Sequence, residues 1–325
     1  MKMVRDKDKD GNLNTNLGSL LLQIKDEPNI FYNKKHNLRH PYSYYVNGEI
    51  RFINSYMDLM DLLDSQKHFK SISEIEVFNK TKEVITSFVS FIDDVYTIFK
   101  CFCPPSTSKY KGKYNDKWLE GAESALISAF KKDINFTQIF VKINNEIKHN
   151  QGRICKLNFK STFDGNCIGF FIQKYDAVTD SIVPFEEIHP KFNGMHTAFS
   201  FNWFLIEILG QFYHLNYIAS KTLIELIYKM SSQNIVLQKI VMEKNEIINV
   251  INLLNKTLSN ILFEDEYNKQ FYQIELNDSK LLIKSPADKT FMKRFKRYKN
   301  AKIEFALTID VYTLSYGLPY FKHSK

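Results

Sequence analysis

The sequence predicts a mainly α-helical fold of the α+β class: a helical bundle with an inserted β-hairpin and a β-rich C-terminal part. Apolar residues recur at helical spacing through most of residues 54–262, which predicts the bundle. The spacing falls to two residues over about 153–175, and strand-like segments fill 263–325. Residues 1–53 complete this division as a flexible lead-in followed by a first β-hairpin.

The composition of the 325-residue chain is that of a globular protein, with 44% hydrophobic and 25% charged residues. The formal net charge is +8 and the isoelectric point is about 9.0. A basic balance favours polyanionic partners, of which nucleic acid is the commonest. Nucleic acid is therefore the class of partner that the charge favours.

The cysteines and the N-terminal residues indicate a cytoplasmic protein. Cys101 and Cys103 form a CxC pair, and together with Cys155 and Cys167 they match no usual zinc-ligand spacing. The first residues, MKMVRDKDKDGN, are charged and lack the apolar core of a signal peptide. Reduced thiols in a cytoplasm are the expectation.

One apolar stretch, residues 197–220, raises the question of a membrane span. Four polar residues interrupt it: Asn202, Glu207, His214 and Asn216. Each polar group at mid-bilayer would cost on the order of a few kcal/mol. We therefore expect a buried core helix here and no membrane partner.

The N-terminal part of the chain is expected to be a flexible lead-in followed by a β-hairpin. Residues 1–20 are polar and predict a flexible lead-in. Residues 44–52, YYVNGEIRF, place Asn47-Gly48 between β-rich flanks, which is a strong signal for a two-residue β-hairpin.

Helical spacing begins after this hairpin, at residues 54–66 and again at 71–102. The second segment repeats apolar residues that we expect to be buried: Ile75, Val77, Val84, Phe88, Phe91, Ile92, Val95 and Phe99. Two prolines fix the following stretch, 103–115, as a loop.

A further pair of helices is expected between residue 115 and His149. Asn115 or Asp116 supplies the first N-cap, and Asp133 divides the two helices. The second helix carries an apolar stripe at i, i+4, i+7 and i+11: Phe136, Phe140, Ile143 and Ile147.

The periodicity changes to that of strands after Gly152. Segments 153–161 and 167–175, joined by a turn at 163–166, predict a β-hairpin. Two long helices are expected next, at about 197–230 and 234–262. The C-terminal part contains three strand-like segments, 270–278, 280–286 and 301–317.

A polar stripe marks the helix that ends at His149. At about 100° per residue, Lys142, Asn145 and His149 lie within about 60° of one another. The apolar stripe lies on nearly the opposite side. The three polar side chains are therefore expected to face solvent, a substrate or a second subunit.

The polar run N-E-x-K-H-N at Asn145–Asn150, after several bundle helices and before a hairpin, resembles the HEPN superfamily. Its signature is an Arg followed a turn or two later by a His, often with a polar residue after the Arg. His149 matches the histidine, and Asn144 and Asn145 match the polar neighbours. Lys142 stands in the window where the family has Arg.

The resemblance covers about residues 71–262 and implies a helical bundle that is often a homodimer. It implies a metal-independent ribonuclease with no cofactor, acting in toxin–antitoxin, abortive-infection or other antiviral defence. A cognate antitoxin or defence-system protein would be a partner. The implied roles are proton transfer for His149, phosphate contact for Lys142 and positioning for Asn145.

These residue types suit RNA cleavage without metal. The imidazole of histidine titrates near neutral pH and suits proton transfer. A lysine ammonium offers a point charge to the phosphate, whereas an arginine would bind it through two N–H donors. Lys142 therefore also fits a catalytically silent HEPN-like scaffold that binds a partner protein or nucleic acid.

Plainer interpretations of the stripe stay open. A histidine at a helix C-terminus is favoured by the helix dipole alone, and exposed lysine and asparagine need no special role. A third functional alternative is an adaptor that does not bind nucleic acid.

The densest positive cluster lies at residues 288–302, where basic and aromatic residues alternate. Its candidate nucleic-acid contacts are Lys293, Arg294, Lys296, Arg297 and Lys299. Positive charge can neutralise phosphates and aromatic rings can stack on bases. The alternative is a solvated helix face whose aromatic residues pack on the body of the protein.

No metal or cofactor site is expected from the remaining polar residues. His36 and His40 have the spacing of a helical zinc motif, but Pro41 argues against a helix there. The adjacent pairs Asp93-Asp94 and Glu186-Glu187 fit surface charge. The sequence contains no P-loop, dinucleotide-binding glycine motif or nucleophile elbow.

Overall fold

The computed structural model describes residues 2–6, 15–68, 74–122, 125–150, 152–161, 165–192, 194–231, 254, 262–269, 272–276, 280–284 and 301–305. In these residues the protein is mainly helical with small antiparallel sheets. This confirms the predicted mainly α, α+β class. The division of the chain at residues 53 and 262 stays a prediction.

The helices follow in this order: α1 Asn16–Ile24, α2 Pro41–His68, α3 Glu74–Cys101, α4 Asn115–Glu120, α5 Ala125–Asp133, α6 Gln138–His149 and α7 Phe201–Ser231. The expected helix at 71–102, the break at Asp133 and the long helix after residue 197 are confirmed. The other expected helix, 234–262, lies outside the described residues except at Leu254 and Leu262.

The strands are β1 Lys2–Asp6, β2 Arg153–Ser161, β3 Gly165–Asp176, β4 Ser181–Pro184, β5 Lys191–Phe192, β6 Met195–His196, β7 Phe199–Ser200, β8 Gln273–Leu276, β9 Lys280–Lys284 and β10 Ala301–Phe305. The largest sheet has the order β10-β2-β3-β4, with β7 paired to β3. Antiparallel pairing from Arg153↔Gln173 to Ser161↔Gly165 confirms the predicted hairpin. A second sheet has the order β1-β9-β8.

The predicted hairpin at residues 44–52 is wrong, because this segment lies inside helix α2. The helix begins at Pro41, and its buried residues follow helical spacing: Tyr45, Phe52, Tyr56, Leu59, Met60 and Leu63. Gly48 allows α3 to approach closely, since a Cβ atom there would lie 2.8 Å from Phe91 Cδ2. The glycine of the Asn-Gly pair therefore serves helix packing instead of a turn.

The predicted flexible lead-in over residues 1–20 is wrong for its described parts. Lys2–Asp6 form β1 and pair with β9, and α1 begins at Asn16. The Thr15 side chain accepts a hydrogen bond from Gly18 N at 3.0 Å, which caps the helix. The helix buries an apolar face consisting of Leu17, Leu20, Leu21 and Ile24.

Helix α7 runs through the hydrophobic core. Phe212 stacks on Phe52 of α2 with ring centroids 4.6 Å apart, and Phe204 meets Phe170 of β3 edge-to-face at 5.0 Å. The buried residues expected in α3 are confirmed except Ile75, which is 62% exposed. Among the helices of the described residues, none combines the length and apolar character needed to cross a bilayer.

Candidate nucleic-acid interface

Helix α6 presents the three predicted site residues on its outer face. Lys142, Asn145 and His149 are all exposed. On the other side of the helix Phe140 and Ile143 are fully buried, and Phe140 packs edge-to-face on Phe88 of α3 at 5.7 Å. The hydrophobic contact with α3 therefore fixes which face of α6 points outward.

The chain turns sharply directly after His149, the last residue of α6. The carbonyl oxygen of Glu146 accepts hydrogen bonds from Asn150 N at 3.1 Å and Gly152 N at 3.0 Å. A Cβ atom on Gly152 would lie 2.7 Å from Glu146 Cγ, so the close turn requires glycine. This turn leads straight into β2 and holds the helix end in place.

Lys142 is paired with a carboxylate on a different segment. Its Nζ donates to Glu187 Oε2 at 2.9 Å, and the two side chains are 50% and 61% exposed. The hydrogen bond and charge of Lys142 lower the pKa of Glu187, with a further contribution from Lys174. Because both groups are exposed, the pair contributes little to stability and is screened by salt.

Glu187 is presented by a well-anchored turn. Phe185 N donates to Ile172 O at 2.9 Å, and His189 N donates to Phe185 O at 2.8 Å. Phe185, Ile188 and His189 are buried around it. The backbone position of Glu187, from which its side chain reaches Lys142, is therefore set by the fold.

The polar neighbours in the motif divide between surface and interior. Asn144 is buried and accepts a hydrogen bond from Thr86 Oγ1 of α3 at 3.0 Å. Glu146 is buried, and its Oε2 accepts from Asn150 Nδ2 at 3.0 Å. Asn145 alone of these three is exposed, so Asn144 and Glu146 serve the packing of α6 and its C-terminal turn.

Further positive charge lies at the same end of α6. Lys148 and Arg153 are both exposed. Burial, together with the charges of Asp116 and Asp94, raises the pKa of Asp93 in α3 to about 6. The charge of Lys148 opposes this rise. Two exposed basic residues therefore flank His149 in the chain, and positive charge favours contact with phosphate.

The other candidate histidines have structural contacts. His36 Nε2 donates to Cys103 O at 2.7 Å, and His40 Nδ1 accepts from Tyr42 N at 3.2 Å. Among the residues that the structure describes, no group of three or more His, Cys, Asp or Glu side chains is placed to hold a metal ion. The predicted basic contacts Lys293–Lys299 lie outside the described residues.

Sequence reasoning missed two features. Glu187 was assigned to plain surface charge, and its contact with Lys142 joins residues 45 positions apart, which no local pattern reveals. The two buried carboxyls Glu207 and Glu266, which both lie near the half-buried Lys269, were also missed. The signal for the second was Glu207 itself, a carboxylate inside an otherwise apolar helix.

Comparison of the chain with protein-family models, curated proteins and solved structures gives no match. The resemblance to the HEPN superfamily therefore depends on the residues of α6 and their helical setting.

Proposed function

We propose that the exposed face of α6 binds RNA and cleaves it without a metal ion, as in HEPN-like ribonucleases. The observation that carries the proposal is the exposure of Lys142, Asn145 and His149 on one face of α6, at an end that also carries Lys148 and Arg153. The setting is antiviral defence or growth arrest in a cytoplasm, with a cognate antitoxin or defence protein as partner.

In this proposal His149 transfers the proton. Its neutral imidazole takes the proton of a ribose 2′-hydroxyl, and the 2′-oxygen attacks the adjacent phosphorus. The bond to the 5′-oxygen breaks, and that oxygen receives a proton from a second imidazole. The products are a 2′,3′-cyclic phosphate and a 5′-hydroxyl end. A homodimer supplies the second imidazole as His149 of the other copy.

Lys142 and Asn145 hold the scissile phosphate in this scheme. The ammonium group of Lys142 balances the charge that builds up on the phosphate oxygens during attack. The Asn145 amide donates a hydrogen bond that orients the phosphate or ribose. Since a single ammonium group lacks the two-pronged geometry of a guanidinium, we expect slower cleavage than an arginine would allow.

The second candidate function is a catalytically silent scaffold that binds RNA or a partner protein. The observation that favours it is the ion pair between Lys142 and Glu187. A phosphate can approach Lys142 only if it competes with a carboxylate that is already held there. The scaffold would bind through the same face of α6 without cleavage.

The test of the lead proposal is cleavage of total RNA by the purified chain in EDTA. We expect His149→Ala to lower the rate by about 10²–10⁴-fold, because proton transfer is lost. Lys132→Ala, an exposed lysine of α5, is the control and should cleave at the wild-type rate. Equal cleavage by wild type and His149→Ala would contradict the proposal. If neither protein cleaves RNA, the catalytically silent scaffold is the function that stands.

The ion pair gives a second prediction. We expect Glu187→Gln to bind single-stranded RNA several-fold more tightly than wild type, because the freed Lys142 ammonium can contact a phosphate. The plot of log affinity against log salt concentration should steepen by about 0.7, the value for one more phosphate contact on a single strand. Filter binding at several salt concentrations measures both quantities.

Glu186→Gln is the matched control for this substitution. It removes the same charge one residue away, from a carboxylate that faces His196 at 3.6 Å instead of Lys142. If Glu186→Gln and Glu187→Gln change affinity equally, the effect is general charge and Lys142 is not a phosphate contact.

A further inference from the structure

Residues 262–269 and 272–276, here called the strap, run along α7 in the same direction as the helix. Three contacts follow one another along the two segments. Glu266 Oε1 accepts a hydrogen bond from Ser200 N, just before α7, at 2.8 Å. Lys269 Nζ lies 5.2 Å from the centre of the Trp203 ring, and the Tyr272 hydroxyl lies 2.6 Å from His214 Nδ1. The strap ends with β8 and so connects α7 to the sheet that contains β1 and β9.

A row of buried polar side chains on α7 lies beneath the strap. Trp203, Glu207 and Gln211 are one helical turn apart, and their exposed fractions are 5%, 8% and 2%. Each has a buried polar atom without a hydrogen-bond partner: Trp203 Nε1, Glu207 Oε2 and Gln211 Oε1. Such atoms are costly in an interior, and Glu207 is the member of the row that can reduce the cost by taking up a proton.

Burial dominates the ionisation of Glu207. It raises the pKa to about 7, against the opposing effects of the Gln211 hydrogen bond, the backbone amide of Tyr272 and the charge of Lys269. Glu207 Oε1 accepts from Gln211 Nε2 at 2.9 Å. The contact with Tyr272 places this carboxyl directly at the junction between α7 and the strap.

Glu266 lies on the strap side of the same junction and is fully buried. Burial raises its pKa to about 7; the charge of Lys269 and the Ser200 hydrogen bond oppose the rise, and Asp265 adds to it. Its second oxygen accepts from Phe263 N at 2.9 Å. The carboxyl thus ties the strap both to itself and to the start of α7.

Among the described residues, Lys269 is the one cation whose charge opposes the pKa rise of both carboxyls. Lys269 also pairs with Asp265 Oδ2 at 2.6 Å, so its charge is shared between these groups. His189 and His214 also border the junction, and burial lowers their pKa to about 3 and about 4, which leaves both rings neutral near pH 7. Cys167 and Tyr272 are likewise neutral there, since burial raises the pKa of both.

We propose that the strap is a pH-dependent latch on α7, which is closed while Glu207 is protonated and loosens when this carboxyl ionises. Ionisation places a negative charge on a buried carboxyl whose Oε2 has no hydrogen-bond partner, and undocking returns that charge to water. Because the docked state binds the Glu207 proton more tightly than an open state does, the docking free energy weakens as pH rises through about 7. Loosening therefore separates the sheet that contains β8 from α7.

Trp203 reports on this latch directly, because Lys269 covers its ring and the chain has two tryptophans. In a Trp118→Phe background, acrylamide quenching of Trp203 fluorescence is measured from pH 5.5 to 8.5. We expect the quenching constant to rise several-fold with a midpoint near pH 7, while far-UV circular dichroism keeps its helical signal. Adding Glu207→Gln, which keeps the shape without the charge, should remove much of the rise.

Glu49→Gln is the control, since burial also raises the pKa of Glu49 to about 7 but its hydroxyl partner is Tyr45 of α2. It should leave the quenching transition unchanged. A flat quenching profile in the Trp118→Phe protein, or an unchanged rise with Glu207→Gln, overturns the proposal.

A second measurement needs no substitution in the strap or α7. Trypsin cleavage after Lys269 in the wild-type chain is compared by mass spectrometry with cleavage of a free peptide covering 262–276, between pH 6.5 and 8.5. A protection factor that falls several-fold with rising pH supports the latch. A constant protection factor contradicts it.

Discussion

Replacing Gly210 with alanine is expected to lower the free energy of unfolding by about 3 kcal/mol or more. Gly210 lies in α7, where a Cβ atom would be 2.2 Å from Tyr272 Cγ and 2.4 Å from Tyr272 Cβ. Because the clash includes the Cβ atom of Tyr272, no rotation of that side chain relieves it. Either α7 or the strap must move, and the contact between them is lost.

Urea unfolding followed by circular dichroism measures this loss. Lys221→Ala, at an exposed position of the same helix, is the control and should change stability by at most about 0.5 kcal/mol. If Gly210→Ala unfolds at the same urea concentration as Lys221→Ala, the strap does not pack on α7 as described.

The stability of the protein in acid is expected to depend strongly on His189. This side chain is fully buried, and its Nε2 accepts a hydrogen bond from Ile172 N at 2.8 Å, which requires a neutral ring. Burial lowers its pKa to about 3, with further lowering by the charges of Lys269 and His196. The unfolded chain therefore binds a proton at this residue at a higher pH than the folded chain does.

The direction in which stability changes with pH follows from this difference between the folded and the unfolded chain. The contribution of His189 is fully present above pH 6.5 and is lost progressively as pH falls towards 3. Between pH 7 and pH 4.5 the loss is about 3 kcal/mol, at about 1.4 kcal/mol per pH unit. His189→Gln keeps an acceptor for Ile172 N without a titrating group. The difference in the free energy of unfolding between wild type and His189→Gln should therefore be smaller at pH 4.5 than at pH 7 by that amount.

Urea unfolding of both proteins at the two pH values measures the gap. The control is Ile188→Val, a buried neighbour in the same turn, which should cost about 1 kcal/mol at either pH. A gap between wild type and His189→Gln that is equal at the two pH values would show that His189 is not held neutral.

Elements whose pattern is local were predictable from the sequence. Helix α3 and the β2–β3 hairpin each follow from a sustained period, of 3.6 and of two residues, that is present within the element. The outward direction of Lys142, Asn145 and His149 also followed from the helical repeat alone, because the apolar stripe of α6 fixes its inner face.

Elements that depend on distant partners were not predictable. Asn47-Gly48 gives a turn signal locally, but the pair lies inside α2, where Gly48 is close to Phe91 of α3. Strand β1 exists because β9, near the other end of the chain, pairs with it. The Glu187 partner of Lys142 and the strap over Glu207 have the same origin, since each joins segments that are far apart in sequence.

The proposed ribonuclease activity has one most direct test, which is the sugar dependence of cleavage. A labelled RNA strand and the same sequence with 2′-deoxyribose are each incubated with the purified chain in EDTA. The proposed chemistry requires attack by the 2′-oxygen, so we expect the RNA alone to be cut, leaving 2′,3′-cyclic phosphate ends. Cleavage of both strands, or of the RNA with 3′-hydroxyl ends, would contradict the roles given to His149 and Lys142.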